Sequence, residues 1–417
     1  EGMIDAQDAD ARIRRPAARK GFLDRIESGA PAESQSRKRG GEPFVDLPWD
    51  EAFDIAAAEI ARIRDTHGNG SIYGGSYGWA SAGRFHHAQS QVHRFLNTIG
   101  GYVRSVQNYS YAAADVIVPH VIGSKAGLVS GHTSWPRIAE KTETLILFGG
   151  LPRKNAQVSS GGISRHILTE NLEKISARGS RIISISPLRD DTQVAGVEWV
   201  PIRPNTDTAL MLGIAHAMIS GGLHDRACLK SHTIGFDRLE AYILGQTDGT
   251  PKSPAWAEGI TGVAARVIED LATAMCRSRS FLMVAWALQR ARHGEQPYWM
   301  AITLAAMAGQ IGLPGGGFGF GYGSVNGIGN PHRATRFPAL SQLDNAVADY
   351  IPVARIADCL LNPGATYSYD GQSRIYPDLK MIYWAGGNPF HHHQDLNRLT
   401  EAWQIPEFVV VNESWWT

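Results

Sequence analysis

Thr144-Leu145-Ile146-Leu147-Phe148 and Arg181-Ile182-Ile183-Ser184-Ile185 decide the fold: each is short and mostly apolar, and a helix read near 159–177 separates them. A strand with one wet face alternates polar and apolar residues, whereas a strand covered on both faces is apolar nearly throughout. Two such runs joined by a helix make a parallel βαβ unit. The rhythm extends outward in both directions. Upstream, Trp49, Phe53, Ala56, Ile60 and Ile63 recur every three or four residues, which predicts a helix that lays one apolar face on a sheet and ends at Gly68. A strand at 71–73 and a helix over 83–98 follow. Downstream the pattern gives helices at 207–219 and near 262–276, a strand at 281–285, helices at 296–311 and 352–361, a strand at 380–384, a helix at 394–403 and a strand at 408–411. The class is α/β, multi-domain, with parallel sheets flanked by helices.

Composition narrows the function. A chain of 417 residues divides into two or three domains of roughly 150 residues. Lys+Arg and Asp+Glu both number 40, so no basic field draws the chain to nucleic acid or to an acidic membrane. No apolar run approaches about 18 residues, and the chain reads as soluble, without membrane insertion. Cys228, Cys276 and Cys359 stand far apart with no C-x-x-C pair, which argues against a zinc knuckle, an iron–sulfur cluster and a disulfide framework. The 45 glycines exceed the ordinary share of about 7% and point to backbone in close approach to a bound group. The opening at Glu1 and the stop just after the apolar run 408–411 read as a fragment.

Three tracts break the rhythm. Residues 34–41, rich in Ser, Lys, Arg and Gly, read as a surface loop or arm; 312–331, glycine-rich, as a long constrained loop; and 332–351 as an irregular crossover. The G-x-G pattern at 317–321 follows a helix rather than a strand, so it fails as a dinucleotide fingerprint, and no Walker A sequence is present.

Ligands of open parallel sheets sit beyond the carboxyl ends of strands. There the chain places Gly74-Gly75-Ser76-Tyr77-Gly78-Trp79, whose two rings either plug a core or aim polar tips at a ligand. Ser110, in Asn108-Tyr109-Ser110-Tyr111, either caps a helix or serves a ligand; no G-x-S-x-G elbow surrounds it. Ser186-Pro187-Leu188-Arg189 and Gly386-Gly387-Asn388-Pro389 read as ligand-facing turns, and Thr206 or Asp207 either caps the helix that follows or binds a base or phosphate. His391-His392-His393 has metal-binding residues, but adjacent side chains diverge and rarely share one ion.

Taken together, Tyr73 to Trp79, Asn108-Tyr109-Ser110, Pro119-His120-Val121-Ile122-Gly123, Trp286-Ala287-Leu288-Gln289-Arg290, Gly294-Glu295-Gln296-Pro297, Gly309 to Phe320, and Gly386 to Phe390 with His392 to Leu399 resemble the dimethyl sulfoxide reductase family of molybdopterin oxidoreductases. The nearest branch is its serine-ligated one, which reduces dimethyl sulfoxide, trimethylamine N-oxide or biotin sulfoxide. The match runs in family order from about residue 10 to the end.

The resemblance implies the cofactor Mo-bis(molybdopterin guanine dinucleotide), with Ser110 as the protein ligand of the metal. It implies oxygen-atom transfer from an S-oxide or N-oxide, the metal cycling between Mo(IV) and Mo(VI)=O, with Tyr77 and Trp79 donating hydrogen bonds and Tyr77 leaning toward sulfoxides. Gly78 and Ser81 would join Tyr77 and Trp79 against the cofactor. Lys154 would lie between the pterins, and Trp286 and Arg290 would line the funnel or hold cofactor. Ser186, Arg189, Asp207, Asn388, Pro389, His393 and Asp395 would bind the dinucleotide tails. Implied partners are the small-molecule oxide and an electron donor such as a cytochrome, in anaerobic respiration, with the periplasm preferred to the cytoplasm.

The domains implied are 1–60 as part of an N-terminal domain, 61–140 plus 375–417 and then 141–335 as two αβα cofactor-binding domains, and 336–374 as a crossover; the resemblance also implies that the true start and a C-terminal domain of the family are missing from this stretch. A related hydroxyl transferase or oxidase, or a non-catalytic cofactor-binding protein, are the alternatives. Two departures from the family stand out: bulky Tyr111 beside Ser110, and Ser186 where an aspartate is common.

Overall fold

The computed structural model describes residues 5–32, 36–76, 85–129, 131–157, 159, 165–331 and 338–416. The chain forms two compact units, Glu1–Tyr109 with Arg336–Thr417, and Ser110–Thr335. The first begins with β1 (Ala17–Arg19), α1 (Lys20–Ser28), β2 (Phe44–Asp46), α2 (Trp49–His67), β3 (Ile72–Gly75), α3 (Ala88–Thr98) and β4 (Val103–Val106).

The second unit contains α4 (Ala112–Ile122), α5 (Trp135–Lys141), β5 (Thr144–Phe148), α6 (Leu168–Ala177), β6 (Arg181–Ile185), β7 (Val197–Val200), α7 (Asp207–Ser220), α8 (Pro254–Thr261), α9 (Ala265–Arg277), β8 (Ser280–Val284), α10 (Gln296–Met307) and β9 (Gly317–Phe320). The chain then re-enters the first unit with β10 (Tyr350–Pro352), α11 (Ile356–Leu361), β11 (Thr366–Tyr369), β12 (Gln372–Ile375), β13 (Met381–Ala385), α12 (Leu396–Ala402) and β14 (Phe408–Asn412).

Each unit is built on a five-stranded parallel sheet, ordered β10-β4-β3-β13-β14 in the first and β7-β6-β5-β8-β9 in the second. Side chains alternate between the faces of a strand, and that parity assigns the core of the second unit. Ile146, Phe148, Ile183, Ile185, Leu282 and Val284 face one layer of helices with α7, α9 and α10, while Leu145, Leu147, Ile182, Phe281 and Met283 face α5 and α6. In the first unit Tyr73, Ile382 and Trp384 pack with residues of α11 and α12, and Ile72, Met381 and Phe408 pack with residues of α1, α2 and α3.

Three expectations are corrected. The apolar face of α2 is only half used: Ile60 and Ile63 are buried, but Trp49 and Phe53 are 62% and 61% exposed and lean on each other with ring centroids 5.5 Å apart. A helix of 19 residues is about 28 Å long while a four-residue strand spans about 13 Å, so its first turns overhang the sheet. The helix read near 159–177 begins at Leu168; residues 165–167 are not helical, and 158 and 160–164 lie outside the described residues.

The glycine-rich tract 312–331 also differs from its reading. It is not loop throughout, because Gly317–Phe320 adds a parallel edge strand to β8. Glycine is needed there for packing: a Cβ on Gly319 would lie 2.4 Å from Tyr322 Cε2 and 3.0 Å from Phe281 Cζ. The described part of the 34–41 tract lies mostly at the surface, as its composition suggests, and is anchored there. Arg39 donates to the carbonyls of Trp403 (2.8 Å) and Pro406 (2.5 Å), and Gln404 pairs with both backbone groups of Arg39.

An ionic chain welds α1, α2 and the start of β14. Glu59 binds Arg25 and Arg62, each at 3.0 Å, and Glu407 binds Arg62 at 2.9 Å and lies 3.3 Å from His67. The Arg25 and Glu59 side chains are only 8% and 9% exposed. Removing one member of a buried pair leaves an uncompensated charge at a cost of about 3–5 kcal/mol. Glu59→Ala is therefore expected to lower the unfolding free energy of the first unit, measured in urea, by about that margin, with Glu59→Gln falling between it and wild type.

Candidate functional site

In the first unit the chain leaves β4 through Gln107, whose φ of 71° is left-handed. Such backbone turns sharply, and a side chain larger than glycine accepts it at some cost. Two residues on, the Tyr109 hydroxyl donates to the Val353 carbonyl (3.0 Å) and pairs with His393 Nδ1. A phenol has one proton, so with that proton on Val353 the histidine Nδ1–H is the donor to Tyr109. Burial, and then the neighbouring His392, push His393 down to about 4, and the imidazole stays neutral at pH 7. Asn388 and Asp395 work locally: Asn388 Oδ1 accepts from the Phe390 N–H, and Asp395, with φ 48°, caps α12 through the Arg398 N–H. Pro389 opens the short helix Pro389–His392.

The second unit begins at Ser110, which is half-buried. The Tyr111 ring packs on Trp286 with centroids 4.8 Å apart, so the bulky residue beside Ser110 is engaged by a wall within its own unit. The first turn of α4 then offers the N–H groups of Ala113 and Ala114 to Gln289 Oε1, at 2.7 and 3.4 Å.

At the carboxyl end of β6, Ser186 is fully buried and donates to Asp191 Oδ2 at 2.5 Å. A carboxylate therefore stands at this turn after all, five residues downstream. Asp207, at the start of α7, is buried and accepts from its own backbone N–H; among the described residues no side chain pairs with it, and burial pushes its carboxyl up to about 6. Lys154, Arg189 and Arg290 are exposed and make no side-chain hydrogen bond or ion pair among the described residues. The Trp286 indole N–H is buried without an acceptor among them. Tyr77, Gly78, Trp79 and Ser81 lie outside the described residues.

The structure thus joins Trp286 to the residue beside Ser110, and Ser186 to Asp191. Gln289, Asp191 and Tyr109 carried no assigned role in the sequence, and the pairing of Tyr109 with His393, a residue read there as a dinucleotide contact, was not visible, because each contact depends on the folded chain. Among the described residues no three His, Cys, Asp or Glu side chains gather as a metal site, and no helix is long and apolar enough to cross a membrane. A cavity of about 390 Å³ beside α5 and α6, lined by Glu140, Arg165, Glu170 and Lys174, holds none of the residues singled out above.

Comparison with known proteins gives this geometry its context. The family model for molybdopterin oxidoreductase matches residues 12–417. The chain belongs to the molybdopterin oxidoreductase family. It is 48% identical to the biotin sulfoxide reductase of Cereibacter sphaeroides over 98% of this chain and 54% of that one. It is 41% identical to the dimethyl sulfoxide/trimethylamine N-oxide reductase of Rhodobacter capsulatus over all of this chain and 51% of that one. The chain spans about half the length of these curated relatives. Among solved structures, the acetylene hydratase from Pelobacter acetylenicus shares the fold, with a TM-score of 0.56 at 16% identity over 97% of this chain and 53% of that one.

Membership in this family implies a molybdenum–pterin cofactor, and the described residues fit such a group. A pterin supplies soft sulfur donors itself, so the chain needs few metal ligands of its own. The buried, unsatisfied indole N–H of Trp286 and the buried carboxylate of Asp207 are groups that a polar ligand would satisfy.

Asp207 also sets a pH dependence. Its carboxyl holds its proton more tightly folded than unfolded, so its contribution to stability is full below the ordinary range near 4 and is lost as pH rises through about 6. Without cofactor, Asp207→Asn should match wild type near pH 3.5 and exceed it by about 3 kcal/mol at pH 7.5 in urea unfolding.

Proposed function

We propose that the protein reduces an S-oxide or N-oxide to the sulfide or amine, with molybdenum held by two molybdopterin guanine dinucleotides. The observation that carries this reading is the 48% identity to a biotin sulfoxide reductase over nearly the whole chain. When bound, the molybdenum–pterin group supplies the two-electron exchange that accompanies movement of the oxygen atom.

The chain's own residues position and polarise. Ser110 is the metal ligand: its hydroxyl lies just before the N-terminus of α4, where the positive end of the helix dipole favours the alkoxide over the alcohol. A hard oxygen ligand suits a high-valent metal. Tyr77 and Trp79 donate hydrogen bonds to the oxide, and Gly78 and Ser81 lie with them against the cofactor. Trp286 donates its free N–H to the pterin side, and Tyr111, braced on Trp286, walls the approach to Ser110.

Lys154, Arg189 and Arg290 meet the pterin and phosphate groups with unpaired charge. Asp207 reads guanine, whose N1–H and exocyclic N–H present two parallel donors to a carboxylate. Ser186 acts here through Asp191, and Asn388, Pro389, His393 and Asp395 serve the other dinucleotide. The partners are the oxide and a redox protein that delivers electrons, and the compartment is the periplasm.

The test is reduced viologen dye with dimethyl sulfoxide, trimethylamine N-oxide and biotin sulfoxide, run on the molybdenum-loaded holoenzyme. Wild type should oxidise the dye with at least one oxide, and Ser110→Ala should fall by at least a thousandfold at full molybdenum content. A loaded wild type inert toward all three, or an alanine variant at wild-type rate, overturns the proposal. Asp207→Asn should reduce the guanosine monophosphate recovered per chain on acid hydrolysis of the holoenzyme.

A further inference from the structure

Helix α4 starts two residues after Ser110, and Tyr111 at the cap position makes no capping hydrogen bond to it through its side chain. The first N–H groups of any helix have no acceptor within it. Here two of them, on Ala113 and Ala114, are met by Gln289 Oε1 from 176 and 175 residues away in sequence, at 2.7 and 3.4 Å. Gln289 is 7% exposed. It closes the 3-10 turn Trp286–Gln289 that follows β8 directly, so the oxygen is aimed by an all-buried strand.

The turn is crowded from behind. A Cβ on Gly294 would come within 2.0 Å of the Gln289 carbonyl oxygen, so position 294 excludes any side chain while the turn holds this shape. At its other end Trp286 packs on Tyr111. One short turn thus grips the segment after Ser110 twice, once by an aromatic contact and once by a side-chain oxygen.

We propose that Gln289 is a positioning residue for Ser110: its amide oxygen caps α4 from outside and so fixes the turn that presents the Ser110 hydroxyl. The inference rests on the role proposed above for Ser110. An amide suits this task because it accepts the two N–H groups without placing a second negative charge beside an alkoxide ligand. A capping oxygen also holds direction, since rotation of the first turn of α4 would break both bonds together.

Two measurements on the holoenzyme test it. The first is hydrogen exchange over residues 110–118. Gln289→Leu should exchange about tenfold faster at Ala113 and Ala114, the scale of a lost helix cap, whereas Gln289→Glu, which keeps the acceptor, should remain protected. Unchanged exchange in the leucine variant overturns the cap. The second is the electron paramagnetic resonance signal of half-reduced molybdenum at full loading.

Gln289→Leu should shift or split that signal, and Ser110→Ala combined with Gln289→Leu should look like Ser110→Ala alone. A wild-type signal in the leucine variant, with Ser110→Ala altered, makes Gln289 a purely structural cap and ends the inference. A signal indifferent to Ser110→Ala sinks the ligand role of Ser110, and this inference with it. Should the leucine variant fail to fold, Gln289→Asn withdraws the same oxygen by one methylene, about 1.5 Å, and is read against the same outcomes.

Discussion

The second unit depends on a hydrogen-bond register carried one step past its apolar strands. Ala285 donates to the Phe148 carbonyl (2.9 Å), Gly149 to Ile185 (2.9 Å), Gly321 to Val284 (2.8 Å) and Ser186 to Val200 (3.2 Å). These bonds bring neighbouring strands to an end at one level. The turns that carry Lys154, Ser186, Arg189, Trp286, Gln289 and Arg290 all leave from that level. Parallel pairing makes this possible, because all five strands point the same way and deliver their loops to a single edge.

Much of this frame was legible in the sequence, for a physical reason. Strands 144–148 and 181–185 have the bounds their runs give, since burial on both faces keeps them apolar apart from Thr144, Arg181 and Ser184. The end of α2 at Gly68 was equally plain. What escaped reading is stabilised from far away. β9 is invisible as a strand because its glycines gain their place only once Tyr322 and Phe281 are in position. The hairpin β11–β12 carried a local signal, Asp370-Gly371 with φ of 48° and 71°, the left-handed pair a tight two-residue turn requires.

The candidate site divides along the same line. Ser110, Asp207 and the strand-end turns are single residues in recognisable surroundings, so motif resemblance reaches them. Gln289 sits inside a recognised motif, yet its contact with Ala113 spans the gap between two segments that no local rule connects. Asp191 is similar: a serine at 186 reads as a missing carboxylate until folding brings the neighbouring carboxylate to its hydroxyl. Function at this edge is held by pairs of residues, and one chain read alone displays only their members.

The interleaved order β10-β4-β3-β13-β14 has a consequence for synthesis on the ribosome. The middle strand β3 emerges early, but two of its sheet-mates, β13 and β14, emerge only after more than three hundred further residues, whereas every strand of the second unit is translated in one stretch. During translation the second unit can close while β3 and β4 wait with open ladder edges, the condition that invites aggregation of nascent chains. A trigger-type holding chaperone, or fast elongation through codons 336–412, would protect that interval.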